Sequence, residues 1–470
     1  MIWDLNKYLN NTAVIDEDGV KYAYSDLLSE SETLAKTVNE RTLVFCLCNN
    51  EKGLLLGYVT FLNNRIVPVM LDSNLNSDLL NNLLETYKPD FLWVPDRMAN
   101  VFKYERITSL WSYTLLKTEY ERKYVLNNEL ALMLTTSGST GSPKFVRQSY
   151  DNILANTKSI AEYLELDAAE RPITTLPMSY TYGLSIINTH LYVGAAIIMT
   201  GKALVQKEFW QQFKDYGATS FGGVPYTYEM LDKLRFFRMD LPSLRTMTQA
   251  GGKLSPELHK KFAEYAEQNK KCFVVMYGQT EATARMSYLP YDKALEKYGS
   301  MGIAIPGGEF TLIDVDGNII NDAEVVGELR YTGANVTLGY AECGEDLAKG
   351  DEFGGVLVTG DMAKRDIDGY YYIVGRKKRF LKIFGSRVNL DETERMVKAA
   401  FTGIDCVCGG VDDKMMVFIT VEEQKNTVMS FLVEKTGFNP VAFNIMYIEK
   451  IPRNESGKIL YSELELIKRD

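Results

Sequence analysis

Hydrophobic positions divide most of the chain into alternating pieces. Tyr24 to Val38 predicts a helix, Leu43 to Cys48 a strand, Gly53 to Leu62 a second helix and Ile66 to Met70 a second strand. Leu130 to Leu134 is an apolar run of strand length, and the stretch from Asp151 to Leu164 places Ile153, Leu154, Ile160, Ala161 and Leu164 at helical spacing. Further strand-like runs follow at Ile173 to Leu176, Ala195 to Met199, Ser220 to Gly222 and Phe273 to Met276. Such alternation predicts βα units on a mostly parallel sheet, an α/β fold.

From Phe310 the texture changes to short β-rich runs separated by turn signals such as Asp316-Gly317-Asn318 and Asp368-Gly369. The last of these strands, Tyr370 to Val374, ends at Gly375-Arg376 before the basic cluster Lys377-Lys378-Arg379. This places the main boundary between a large domain, 1–376, and a small α+β domain, 377–470, with helices expected over Asp391 to Ala400 and Thr427 to Thr436.

Composition narrows the function. At 470 residues the chain exceeds what one core serves, so two or more domains are expected. Acidic residues outnumber basic ones 62 to 52, a formal charge of −10 that argues against a general nucleic-acid binder. The N-terminus lacks a basic region before an apolar core, and no apolar stretch is long enough to span a bilayer, so no integral membrane segment and a cytoplasmic location are expected. The pairs Cys46/Cys48 and Cys406/Cys408 read as strand residues on one face rather than a disulfide framework. With only His190 and His259 present, a histidine-rich metal site or a serine-hydrolase triad is disfavoured, and His259, in a charged helical segment, is expected at the surface.

Between the strand at Leu130 and the helix after Asp151 lies Thr136-Ser137-Gly138-Ser139-Thr140-Gly141-Ser142-Pro143-Lys144. Glycines let backbone N–H groups approach an anion, and hydroxyls add donors, so the stretch suits a phosphate cradle; composition alone fits a solvated loop equally well. It is not a Walker loop, because Gly138 and Gly141 are too close and Phe145 follows Lys144. The stretch resembles the phosphate-loop signature of the adenylate-forming superfamily, which includes acyl-CoA synthetases and peptide-synthetase adenylation domains. Similar motifs follow in that family's order: Pro177 to Leu184, Tyr277-Gly278-Gln279-Thr280-Glu281, Gly327-Glu328-Leu329, Gly339-Tyr340, Thr359-Gly360-Asp361, Gly375-Arg376 and Pro452 to Lys458. The resemblance runs from about Tyr24 to Ile459.

It implies a large adenylating domain of mixed βα sheets with a β-rich subdomain, and a small mobile C-terminal domain. It also implies ATP, Mg²⁺ and coenzyme A as cofactors. Joining a carboxylate to a thiol needs a mixed anhydride, and bringing the carboxylate against a negative α-phosphate needs cations and N–H dipoles. The resemblance assigns that bridging to Lys458, with Thr280 and Tyr180 beside it. It gives nucleotide binding to Thr136, Ser137, Gly138, Ser139, Thr140, Gly141, Lys144, Tyr277, Gly278, Gln279, Asp361 and Arg376. Glu281 would help hold the Mg²⁺, Lys378 stands where the family has its hinge, and Lys382 and Gly385 resemble the strip that faces the site during thiol transfer.

By the same resemblance the small carboxylic acid substrate would lie against Tyr180, Thr181, Tyr182, Gly183, Phe221, Val224, Gly251 and Gly252. Amino-acid-activating relatives often carry an Asp where Thr181 stands, so an uncharged acyl group is expected, of aryl or medium length. Only twelve residues follow Lys458, so no carrier domain is expected there. The acceptor is then coenzyme A or the phosphopantetheine arm of a separate acyl carrier protein. A non-catalytic nucleotide-binding paralogue is the alternative of another class.

Overall fold

The computed structural model of the protein describes residues 2–38, 41–135, 144–384, 386–453, 459–461 and 463–464. All of residues 136–143, Gly385 and Lys458 therefore lie outside the described residues. The chain packs as two compact units, Met1–Phe310 with Tyr331–Leu357, and Thr311–Arg330 with Val358–Asp470.

The first unit is built on an eight-stranded sheet. Its middle is parallel: Leu43–Cys48 lies between Val67–Asp72 and Phe91–Pro95, and Val67–Asp72 pairs in turn with Leu130–Thr135. Every residue of Leu43–Cys48 is buried, which is why an unbroken apolar run was its signature. Helix Lys52–Asn63 covers this sheet with Gly57 against the Trp93 indole; an added Cβ would stand 2.3 Å from Trp93 Nε1. Beyond Leu130–Thr135 the chain returns antiparallel as Phe145–Ser149, and Gly339–Ala341 closes that edge. Arg147, fully buried, fixes the closure by donating to the carbonyls of Leu338, Tyr340 and Lys349 at 2.9, 2.9 and 2.6 Å and pairing with Glu352. A second sheet runs parallel through Ser220–Gly223, Thr246–Gln249 and Cys272–Tyr277. Ser287–Tyr288 and Ile303–Ala304 extend it antiparallel. The apolar run at Ala195 to Met199 forms only the two-residue strand Ile197–Ile198, paired with Thr12–Ile15. Ile173 forms a single bridge to Ile198.

The second unit contains the antiparallel pair Val356–Arg365 and Tyr371–Arg376, followed by the turn Lys377–Arg379 that holds Lys378. Lys382 lies on the next strand, Phe380–Ile383. Helices Leu390–Ala400 and Lys425–Thr436 then accompany the sheet Cys406–Val411, Lys414–Ile419 and Phe443–Tyr447, matching the α+β expectation. Arg379 anchors these elements by donating to Asp391 at 2.8 Å and to the Cys408 carbonyl at 2.7 Å, and by pairing with Glu394. Cys46, Cys48, Cys406 and Cys408 are buried free thiols, and among the described residues no helix is long and apolar enough to cross a membrane.

His259 corrects the surface expectation: it is 1 % exposed and its Nδ1 accepts from the Gly299 N–H at 3.1 Å. Helix Pro256–Gln268 is amphipathic, and His259 falls on the stripe of Phe262, Ala263 and Ala266 that packs inward. His190 is buried as well, and burial lowers both imidazoles to about 4. In the unfolded chain they take up protons near the ordinary 6.5, so protons favour unfolding between the two values. Stability contributed by the neutral rings is complete above about pH 6.5 and lost as pH falls to 4, about 3 kcal/mol for each. Urea midpoints should fall across that window, and His259→Phe should flatten the profile; an unaltered slope in the variant contradicts the assignment.

Candidate active site

Strand Cys272–Tyr277 ends where Gly278 begins a tight loop. A Cβ on Gly278 would lie 1.7 Å from the Ala284 carbonyl oxygen, so no other residue fits there. The return limb passes through Thr283 at φ 62° and Ala284 at φ 150°, both in the region that favours glycine. Buried side chains hold this backbone. Asn335 donates to the carbonyls of Ala282 and Arg285 at 2.8 and 2.9 Å, Thr283 Oγ1 donates to the Asn335 carbonyl at 2.7 Å, and Asn156 donates to the Arg285 carbonyl at 2.8 Å.

The loop presents Thr280 and Glu281 on a short 3₁₀ turn. Tyr340, on the edge strand fixed by Arg147, donates its hydroxyl to Glu281 Oε1 at 2.9 Å. The Lys144 ammonium lies 5.4 Å from the Tyr340 ring centroid and 2.5 Å from Glu342. In the sequence Tyr340 stands only as part of a motif; the structure makes it the link between Lys144 and Glu281. Burial and the neighbouring Glu281 push its phenol pKa up, so it remains a donor. Gln279 Nε2 donates to the Tyr277 hydroxyl at 3.2 Å, and the Tyr277 ring is half-buried at the strand end.

The expected acyl-pocket residues come together in the same unit. Tyr180 caps helix Thr181–Val193, and Gly251, at φ 81°, approaches it so closely that a Cβ would stand 2.4 Å from the Tyr180 hydroxyl and 3.1 Å from Val224. A Cβ on Gly252 would meet Pro225 at 3.1 Å, and one on Gly183 the Pro177 carbonyl at 2.3 Å. Tyr182 is buried, with its hydroxyl 2.8 Å from Thr248 Oγ1, and burial raises Tyr180 to about 12. Phe221 is buried on Ser220–Gly223. Thr181 is committed to the backbone, donating to the Thr283 carbonyl at 3.3 Å. Arg285, absent from the sequence expectations, lies against one of these residues, its guanidinium 3.8 Å from the Tyr182 ring centroid. Its only sequence signal is a lone charge in the stretch Ala282-Thr283-Ala284-Arg285-Met286.

In the second unit Asp361 and Arg376 are directly opposite across the antiparallel pair, with Arg376 Nε 3.4 Å from Asp361 Oδ1. Asp361 is buried and Arg376 exposed. The Asp361 N–H donates to Thr359 Oγ1, which itself donates to the Leu329 carbonyl, and Lys377 pairs with Glu328 at 2.7 Å. A carboxylate acceptor beside a guanidinium donor suits a vicinal diol such as a ribose. Among the described residues no three His, Cys, Asp or Glu side chains cluster as potential metal ligands.

A family profile described as AMP-binding enzyme matches residues 3–341. The chain is 26% identical over 445 residues to peroxisomal OPC-8:0-CoA ligase 1 of Arabidopsis thaliana, an alignment covering 90% of this chain and 81% of that protein. It is 25% identical over 425 residues to the 2-succinylbenzoate–CoA ligase of Listeria monocytogenes, covering 87% and 84%. Among solved structures, the O-succinylbenzoate coenzyme A synthetase of Bacillus subtilis in complex with AMP superposes with a TM-score of 0.79 at 19% identity, covering 98% of this chain and 96% of that one. The last likeness carries the fold, and the profile carries the family: the chain belongs to the AMP-binding enzymes.

Proposed function

We propose that this enzyme is an AMP-forming acid–thiol ligase that activates a carboxylic acid with ATP, releases pyrophosphate and passes the acyl group to coenzyme A. The observation that carries the reading is the link through Tyr340, whose hydroxyl holds Glu281 while its ring lies against Lys144. A cation and a carboxylate are thereby held at one rim, one suited to phosphate oxygens and the other to Mg²⁺. When bound, Mg²⁺ would offset the charge of the triphosphate.

The acid's carboxylate attacks the α-phosphorus, its oxygen forms the new P–O bond, and pyrophosphate leaves with the electrons of the bond that breaks. Lys458 is assigned the bridging charge between the two anions, and Thr280 a hydroxyl toward the phosphate. Residues 136–141 and Lys144 hold the phosphates, Tyr277, Gly278 and Gln279 the adenine side, and Asp361 with Arg376 the ribose. Coenzyme A thiolate then attacks the acyl carbon and AMP departs. The division at 376/377 is the proposed pivot, with Lys378 as hinge; a turn at an element end is suited to such a change of φ and ψ. Loading of a separate carrier protein remains the second acceptor to try, since the chemistry at the acyl carbon is the same. Acid-dependent exchange of labelled pyrophosphate into ATP tests the reading, and no exchange over a broad acid panel would leave a nucleotide-binding protein instead.

Lys458→Ala should abolish that exchange while leaving thiol attack on a pre-made adenylate within about threefold of wild type; equal loss of both steps removes the assigned role. Lys378→Pro should slow thioester formation at least ~10-fold more than exchange, measured by single-turnover quench. Unchanged thioester kinetics would leave no hinge at this position.

A further inference from the structure

The acyl pocket holds a cation without a carboxylate partner among the described residues. Arg285 is 3 % exposed, and its guanidinium lies 3.8 Å from the Tyr182 ring centroid. Its Nε faces Met276 Sδ at 3.3 Å, a sulfur to which the Tyr163 phenol also donates at 3.0 Å. An aromatic face, a thioether and a phenol leave several of the five guanidinium N–H groups without a strong acceptor. Buried charged side chains are ordinarily paired. A leucine or methionine would occupy the same space without that penalty.

One further observation points to a polar occupant. The small cavity of about 30 Å³ bordered by Arg285 is largely apolar, with His190 among its few polar lining groups, and has room for roughly two water-sized groups. His190 is 4 % exposed; its Nδ1–H donates to the Ile186 carbonyl at 2.7 Å, while Nε2 has no hydrogen-bond partner among the described residues. The backbone is arranged to aim Arg285 inward, since the unfavourable φ values of Thr283 and Ala284 immediately precede it and Asn156 and Asn335 clamp its carbonyl.

We infer that the acid activated here carries a second carboxylate, which Arg285 receives at the end of the pocket remote from the reacting carboxylate. The substrate class is therefore a short dicarboxylic acid, which replaces the uncharged acyl group expected from Thr181 alone. The inference rests on the acid-activating reading above and specifies its substrate.

The test measures pyrophosphate release by the full chain with ATP and Mg²⁺ on matched acids: malonate against propionate, succinate against butyrate and against succinamate, glutarate against valerate. Succinamate has the size of succinate without the second charge. The best diacid should exceed its uncharged match by about 100-fold or more in kcat/KM, because a site built for a charged group rejects the analogue lacking it. Arg285→Met should collapse that ratio toward one, and Arg285→Lys should restore part of it. Uncharged acids turned over as well as the diacids by wild type, or a ratio that survives Arg285→Met, overturns the inference; if Arg285→Met does not fold, the wild-type succinate-to-succinamate ratio decides alone. Turnover of the monoacids only would sink the diacid inference and keep the ligase, whereas no turnover and no pyrophosphate exchange with any acid would remove the ligase reading and this inference with it.

Discussion

The Ala284 carbonyl occupies the space a side chain on Gly278 would need, and that single close approach organises the chemistry. It folds the segment between them so tightly that Thr283 and Ala284 take backbone angles costing on the order of 1–3 kcal/mol each. Hydrogen bonds from Asn335, Thr283 and Asn156, each worth about 1 kcal/mol net, offset much of this. What the distortion achieves is a reversal within a few residues. Glu281 is delivered to Tyr340 on one limb and Arg285 to the buried face of Tyr182 on the other.

These two destinations separate charge by environment. Around Glu281 and Lys144 the groups are partly exposed, so their interaction with a highly charged nucleotide is moderated by water. Around Arg285 the neighbours are Tyr182, Met276 and Tyr163, and the same unit charge acts with far less screening. Thr181 fits this division, since its hydroxyl is spent on the Thr283 carbonyl and adds no negative charge. An ammonium entering the pocket would meet a cation rather than a carboxylate, so absence of Asp and presence of Arg act in one direction.

Much of this fold was legible because burial writes directly into apolar runs. Leu43–Cys48, buried at every position, and Leu130–Thr135 appear where the sequence put them. Legibility failed where long-range contacts decide. Ala195 to Met199 yields only two strand residues because Thr12–Ile15 pairs with it at just two positions and Ile173 adds a single bridge. His259 looked exposed because charged neighbours surround it along the chain, whereas in space it faces Phe273. The motifs led to Glu281 and Asp361, but Arg285 carried no periodicity to mark it. Its burial follows from Asn156, Asn335 and Tyr182, residues distant in sequence.

The buried guanidinium also explains why a strained loop is tolerable. Binding energy gained far from the reacting atoms helps a reaction when it fixes the orientation of the near end. A flexible diacid free to rotate would present either carboxylate to the phosphate and lose orientation entropy at each encounter. One held by Arg285 at its far end would have a single carboxylate left to attack. Rigidity in the Gly278–Arg285 loop is then what converts recognition of one end of the acid into alignment of the other.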